Sequence, residues 1–325
     1  MINRGFQRYT WGVLGYNLLV ILWGAFVRAT GSGAGCGSHW PLCDGEIIPQ
    51  APSVAKLIEF SHRATSGVAL LLVIGLVIWG LRAYAPGHIV RRGVLLSLFF
   101  VIAEALLGAG LVLFGKVASD ASLSRAVSIS GHLVNTFLLV GALTLTAWWA
   151  GGRPALRLRG QGLVGAAMWL GVVAMLALGV SGAVIALGDT LFFAHINAGG
   201  SAETAPALAQ VIVAIRIYHP VFAVLVGVYT VAVAWWARGL RPTAGLTPAA
   251  IALTALFIVQ FGVGAANVAL RAPVAMQLVH LLLADLVWIA YVMLAATALA
   301  ASSAPIAAPQ PARDEPLPSG GRALR

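Results

Sequence analysis

Charge is scarce in this sequence. Only 9% of its 325 residues are charged while 60% are hydrophobic, a balance outside the range of soluble globular domains. Cysteine is rarer still: Cys36 and Cys43 stand alone, without the CxxC spacing that lowers a thiol pKa. No flavin, nicotinamide or iron–sulfur motif appears. A built-in electron donor is thereby excluded, and any redox chemistry must draw electrons from a partner protein or a quinol.

What the chain has instead is long apolar runs. About 18 or more such residues make a spanning helix, since ~20 residues cover the hydrocarbon core of a bilayer. Eight qualify: Tyr9–Val27, Ala64–Leu81 with Leu57–Arg63 as its outer turns, Gly93–Phe114, Ala126–Trp148, Leu163–Leu187, Val213–Trp236, Pro248–Leu270 and Val274–Ala300. Backbone groups in lipid must bond within their own segment, so the expected fold is an all-α membrane bundle of eight transmembrane helices. The first run is read as an uncleaved helix rather than a signal peptide, because cleavage would break the even helix count.

Lys and Arg set the orientation. With the N-terminus inside, thirteen of the twenty basic residues fall on the cytoplasmic side. The expectation is a multi-pass protein of the cell's inner (cytoplasmic) membrane with both termini cytoplasmic. The net charge of +10 then reflects topology and contact with the lipid bilayer, and calls for no nucleic acid.

The second half of the chain echoes the first. Gly24-Ala25 matches Gly182-Ala183, Glu104 with Gly108 matches Gln260 with Gly264, His62 matches His219, and His132 matches His280. We therefore expect two pseudo-repeated four-helix bundles, residues 1–150 and 151–300, followed by a disordered Ala/Pro-rich cytoplasmic tail, 301–325.

Of seven histidines, His39, His88 and His195 are expected in loops. The other four, His62, His132, His219 and His280, lie on helices two, four, six and eight, with none on odd-numbered helices. Each follows an outer Lys or Arg closely, at a depth of about 5–14 Å. A lone membrane histidine is usually hydrogen-bond glue between helices. Four at one depth, two per half, fit haem iron held between facing helices, and zinc or copper would want more carboxylate or thiolate company. Arg63, Arg125, Arg216 and Arg271 sit where they can pair with haem propionates or snorkel to the interface. Glu59 lies one turn before His62 on the same helical face, a place for proton relay. Arg216 occupies the matching slot before His219, so chemistry is expected in the first half and a resident cofactor in the second. Glu104 and Asp285 serve proton paths or helix–helix bonding.

The first outer loop, Ala29–Lys56, carries both cysteines on the oxidising side, where a disulfide can persist. The turn Gly37-Ser-His-Trp-Pro-Leu42 can bring the sulfurs together, either as a staple for the loop or as a redox pair.

Taken together, Thr30-Gly-Ser-Gly-Ala-Gly-Cys36, Trp40-Pro-Leu-Cys43, Ile58-Glu-Phe-Ser-His-Arg63 and the four histidines resemble the haem A synthase family over helices one to eight. The resemblance implies oxidation of a methyl group of haem O to a formyl group, through two hydroxylations and loss of water, giving haem A for terminal oxidases. It further implies haem b on His219 and His280, haem O flanked by His62 and His132, Glu59 as the functional carboxylate, and a Cys36–Cys43 disulfide. A haem O synthase or an oxidase subunit is the implied protein partner. One departure stands out, since Glu104 occupies a place where the family pattern leads one to expect Gln. The other classes open to these residues are a di-haem electron-transfer cytochrome b and a haem carrier.

Overall fold

Each apolar run becomes a helix, and the polar residue just before several of them becomes a cap. In a computed structural model describing residues 3–197, 207–241, 243 and 245–300, the helices are α1 (Arg4–Ala29), α2 (Val54–Ala83), α3 (Ile89–Leu113), α4 (Leu123–Ala150), α5 (Gly162–Asn197), α6 (Ala207–Leu240), α7 (Leu246–Ala269) and α8 (Val274–Ala300). Asn3, Ser53 and Ser122 accept backbone N–H bonds at the starts of α1, α2 and α4, satisfying donors that a helix N-terminus otherwise leaves open. All eight are long and apolar enough to cross a membrane. Large apolar side chains such as Leu71, Phe99, Leu106, Leu225 and Ile258 are exposed along them, as lipid-facing surfaces require.

The helices cover the expected runs to within one residue and often extend past them. That extension corrects one expectation. His195 lies on α5, not in a loop, so an odd-numbered helix does carry a histidine. Gly188, directly after the apolar run, lies within the helix, and no Gly or Pro follows it before Asn197 to stop α5. The expected disordered tail, 301–325, lies outside the described residues.

In the first four helices α1 packs on α2 and α4, and α3 on α2 and α4. In the last four, α7 packs on α6 and α8, and α5 on α6 and α8. The two groups meet through α1, α4, α5 and α8. At that seam the Trp288 indole N–H donates to the Phe137 carbonyl at 2.7 Å and its ring stacks on Phe137; within the last four helices the Tyr291 hydroxyl of α8 donates to the Met168 carbonyl of α5 at 2.8 Å. With little hydrophobic drive between helices in lipid, such interhelical bonds and close packing hold the seam.

Candidate functional site

The even helices carry the histidines and the odd helices face them with glycine. A Cβ on Gly24 of α1 would come within 2.9 Å of His62 Cε1, and one on Gly264 of α7 within 3.0 Å of His280 Cε1. Gly182 of α5 and Gly108 of α3 stand 3.4 Å from His219 and 3.9 Å from His132 on the same measure. Glycine here permits the helices to approach so that the Cε1 edge of an imidazole lies against bare backbone. Trp23, whose indole N–H donates to the Ser61 hydroxyl at 3.1 Å, locks α1 to α2 at the level of His62.

The structure brings the four histidines together as two pairs. His62 and His132, with Glu104 and Arg63, lie within electrostatic reach of one another, and so do His219 and His280. His132 Nδ1 is 3.3 Å from Glu104 Oε1, an ion-pair distance off the hydrogen-bond line. Glu104 also takes a bond from the Asn135 amide at 2.6 Å. His219 Nδ1 lies 2.7 Å from the Ser181 hydroxyl. His62 and His280 keep a buried Nδ1 with no hydrogen-bond partner.

Glu59 is buried. Its Oε2 accepts the Cys36 backbone N–H at 2.8 Å, and its Oε1 pairs with the Arg63 guanidinium at 2.6 Å. Arg63 also donates to the carbonyls of His39 and Leu42, each at 2.7 Å. Cys36 and Cys43 form a disulfide, with Cα atoms 4.5 Å apart. The carboxylate and the disulfide loop are thus one hydrogen-bonded unit, sewn to α2 by Arg63. Lys56 adds a second tie by bonding Asp44, whose carboxyl is held below the usual aspartate range chiefly by that hydrogen bond.

The remaining arginines have separate positions. Buried Arg125 donates to the carbonyls of Ala118 and Asp120. Arg216 pairs with Asp189 at 3.0 Å, and Arg271 sits in the turn between α7 and α8 with φ 61°. Sequence reasoning missed Arg28. From the end of α1 it donates to the Ala186 carbonyl, to Thr190 at 2.8 Å and to Gln277 at 3.0 Å, joining α1 to α5 and α8. Asp189 and Arg125 both act on its charge. Its only signal in the sequence was charge at a helix end, which seven basic residues share.

Among the described residues no three His, Cys, Asp or Glu side chains converge as a cage for a bare metal ion. Two imidazoles from neighbouring helices suit a metal whose macrocycle supplies its other ligands. The glycines keep each imidazole's flank free of side chains, so the residues present fit a haem between each pair.

The sequence profile of the cytochrome oxidase assembly protein family matches residues 7–292. A protohaem IX farnesyltransferase of Thermus thermophilus is 52% identical over 291 residues, 90% of this chain and 48% of that protein. A haem A synthase of Halalkalibacterium halodurans is 40% identical over 126 residues, 39% of this chain and 42% of the relative. One of Exiguobacterium sibiricum is 35% identical over 142 residues, 43% and 48%. The chain spans about half the length of the curated relatives it matches.

Proposed function

The chain belongs to the haem A synthase family of cytochrome oxidase assembly proteins, and on that premise we propose that it oxidises a methyl group of haem O to a formyl group, yielding haem A. Carrying the reading is the unequal furnishing of the two histidine pairs. Only the first has a carboxylate set against a histidine, Glu104 beside His132, with Glu59 one turn before His62 in the chain; Ser181 and Gln260 attend the second, whose nearest acid, Asp189, is paired with Arg216. A pair equipped to move protons suits a reacting substrate, and a neutral pair suits a resident electron carrier.

Residues 1–150 then form the half that binds haem O between His62 and His132, and residues 151–300 the half in which His219 and His280 would hold haem b. When bound, haem b supplies one-electron transfer. The chain's own groups do the rest. Glu59 keeps a carboxylate in a dry place under the disulfide loop, fixed by the Cys36 N–H and Arg63, where it can hold or pass a proton. Arg28, Arg125 and Arg216, with Asp189 beside Arg28 and Arg216 and Asp120 beside Arg125, still leave one more positive than negative charge between the halves, suited to haem propionates; Arg63 and Arg271 lie at the same end. The electron donor is a quinol or a redox protein. A haem O synthase that delivers substrate, or an oxidase subunit that receives product, is the expected protein partner. Positive-inside topology puts both termini in the cytoplasm and the histidines near the outer face of the inner membrane.

The farnesyl transfer named for the Thermus proteins is not carried over to this chain, which matches 48% of their length. Prenyl transfer needs a divalent cation on carboxylates to take the diphosphate, whereas paired imidazoles on bare helix backbone serve haem.

One expression experiment tests the proposal. In a host that makes haem O but no haem A, extracted haem should include haem A or its hydroxymethyl precursor by mass, and Glu59→Ala, His62→Ala and His132→Ala should abolish both. Fully loaded protein with only unmodified haem would reduce the chain to an electron-transfer cytochrome or a carrier. New haem O in a host limited to protohaem would make it the transferase.

A further inference from the structure

The four histidines differ in what stands behind Nδ1, the nitrogen left over when Nε2 binds a metal. Behind His132 is a carboxylate, Glu104 Oε1 at 3.3 Å. That carboxylate is clasped from α4 itself, by the Asn135 amide at 2.6 Å and the Thr136 hydroxyl at 2.5 Å, one turn along from His132. Behind His219 is a neutral hydroxyl. The repeat position of Glu104 is Gln260, which donates to the His280 backbone carbonyl at 3.1 Å. His62 Nδ1 and His280 Nδ1 are buried with no partner, and His132 Nδ1 makes no hydrogen bond in this geometry, its carboxylate standing at ion-pair distance. Of the four, one imidazole alone has an anion behind it, and it lies in the half read as holding substrate.

A carboxylate behind a ligating imidazole fixes its tautomer and ring orientation and makes the other nitrogen a stronger donor. An imidazole without such a partner has neither advantage. Reaction at a haem held between two histidines also requires that one coordination position come free. Resting on the reading of the first pair as the substrate site, we propose that Glu104 is a positioning residue that makes His132 the permanent ligand of haem O, leaving His62 as the exchangeable one. On this assignment the ligand that would give way is His62 on α2, one turn along the chain from Glu59.

The test uses the full chain in detergent, resident haem in place, loaded with haem O. Carbon monoxide added after reduction should bind the haem O of the unaltered chain by displacing His62. His62→Ala should retain haem O and bind carbon monoxide more readily, whereas His132→Ala should lose it. Glu104→Gln keeps size and polarity but removes the anion that favours the ferric state. It should raise the reduction potential of bound haem O and weaken its retention by about 10- to 100-fold, with the resident haem's potential unmoved. Thr136→Val leaves Glu104 in place but loosened, and should shift the potential the same way by less. Loss of haem O from His62→Ala but not from His132→Ala would overturn the assignment. So would an unchanged potential in Glu104→Gln. If the unaltered chain fails to take up haem O while its resident haem stays intact, the reading of the first pair falls as well.

Discussion

The glycines facing the histidines offer a graded perturbation. Replacing Gly264 with Ala sets a methyl 3.0 Å from His280 Cε1, whereas ordinary contact begins at 3.4 Å. The imidazole must therefore retreat by roughly 0.4 Å, a strain of the overpacking kind that costs about 1–3 kcal/mol. At about 1.4 kcal/mol per tenfold, that is about 5- to 150-fold weaker haem retention. Gly182→Ala, at 3.4 Å from His219, should leave retention almost unchanged. In the first pair Gly24→Ala, at 2.9 Å from His62, should be the damaging change and Gly108→Ala, at 3.9 Å from His132, the harmless one. Each substitution also gains about 1 kcal/mol of helix propensity, common to all four, so it cancels within a pair. The assay is haem-to-protein ratio after purification, with the low-spin ferric spectrum reporting ligand displacement. Equal losses from Gly182→Ala and Gly264→Ala, or a worse defect in Gly108→Ala than in Gly24→Ala, would refute the view that these glycines seat the imidazoles.

Three further outcomes follow from the geometry. Arg28→Met leaves three acceptors on α5 and α8 without their charged donor, so thermal unfolding in detergent should show a loss of about 1.5–3 kcal/mol for each well-formed bond removed, with Arg28→Lys recovering part. Glu59→Gln removes the partner of Arg63 but keeps an oxygen for the Cys36 N–H; haem content should persist while formation of haem A stops, and a mutant losing haem instead would make Glu59 a structural residue. Asp44 has a lowered pKa because Lys56 bonds it, so its contribution is present above the ordinary aspartate value and lost as pH falls through the lower folded one. Amide exchange in residues 29–56 should accelerate in that acidic window, and Asp44→Asn should show the faster exchange already at neutral pH.

The Arg63 bonds illustrate how much of the site could be read from the chain. Glu59, His62 and Arg63 were conspicuous as polar groups at a membrane helix mouth, where charge is costly and hence informative. The reach of Arg63 back to the carbonyls of His39 and Leu42, and the Cys36 N–H on Glu59, were not legible, because backbone donors and acceptors look alike in any sequence. His195 was misplaced for a related reason: an apolar run reports where lipid ends, and a helix is free to continue beyond it.

By itself the sequence determined the number of spanning helices and, apart from the outer ends of α5 and α6, their limits to a few residues; it further set four histidines at similar counts from a basic residue at a helix end. Lipid forces each apolar run of sufficient length into a helix, and depth along a helix is simply a residue count. It also marked Glu104 as unusual without saying what it touches. Only the tertiary structure decided how each helix is rotated. Helices that are hydrophobic all round carry no amphipathic stripe to aim a particular side inward, so the pairing of His62 with Gly24, the seating of Glu104 behind His132 and the span of Arg28 from α1 to α5 and α8 emerge from packing alone.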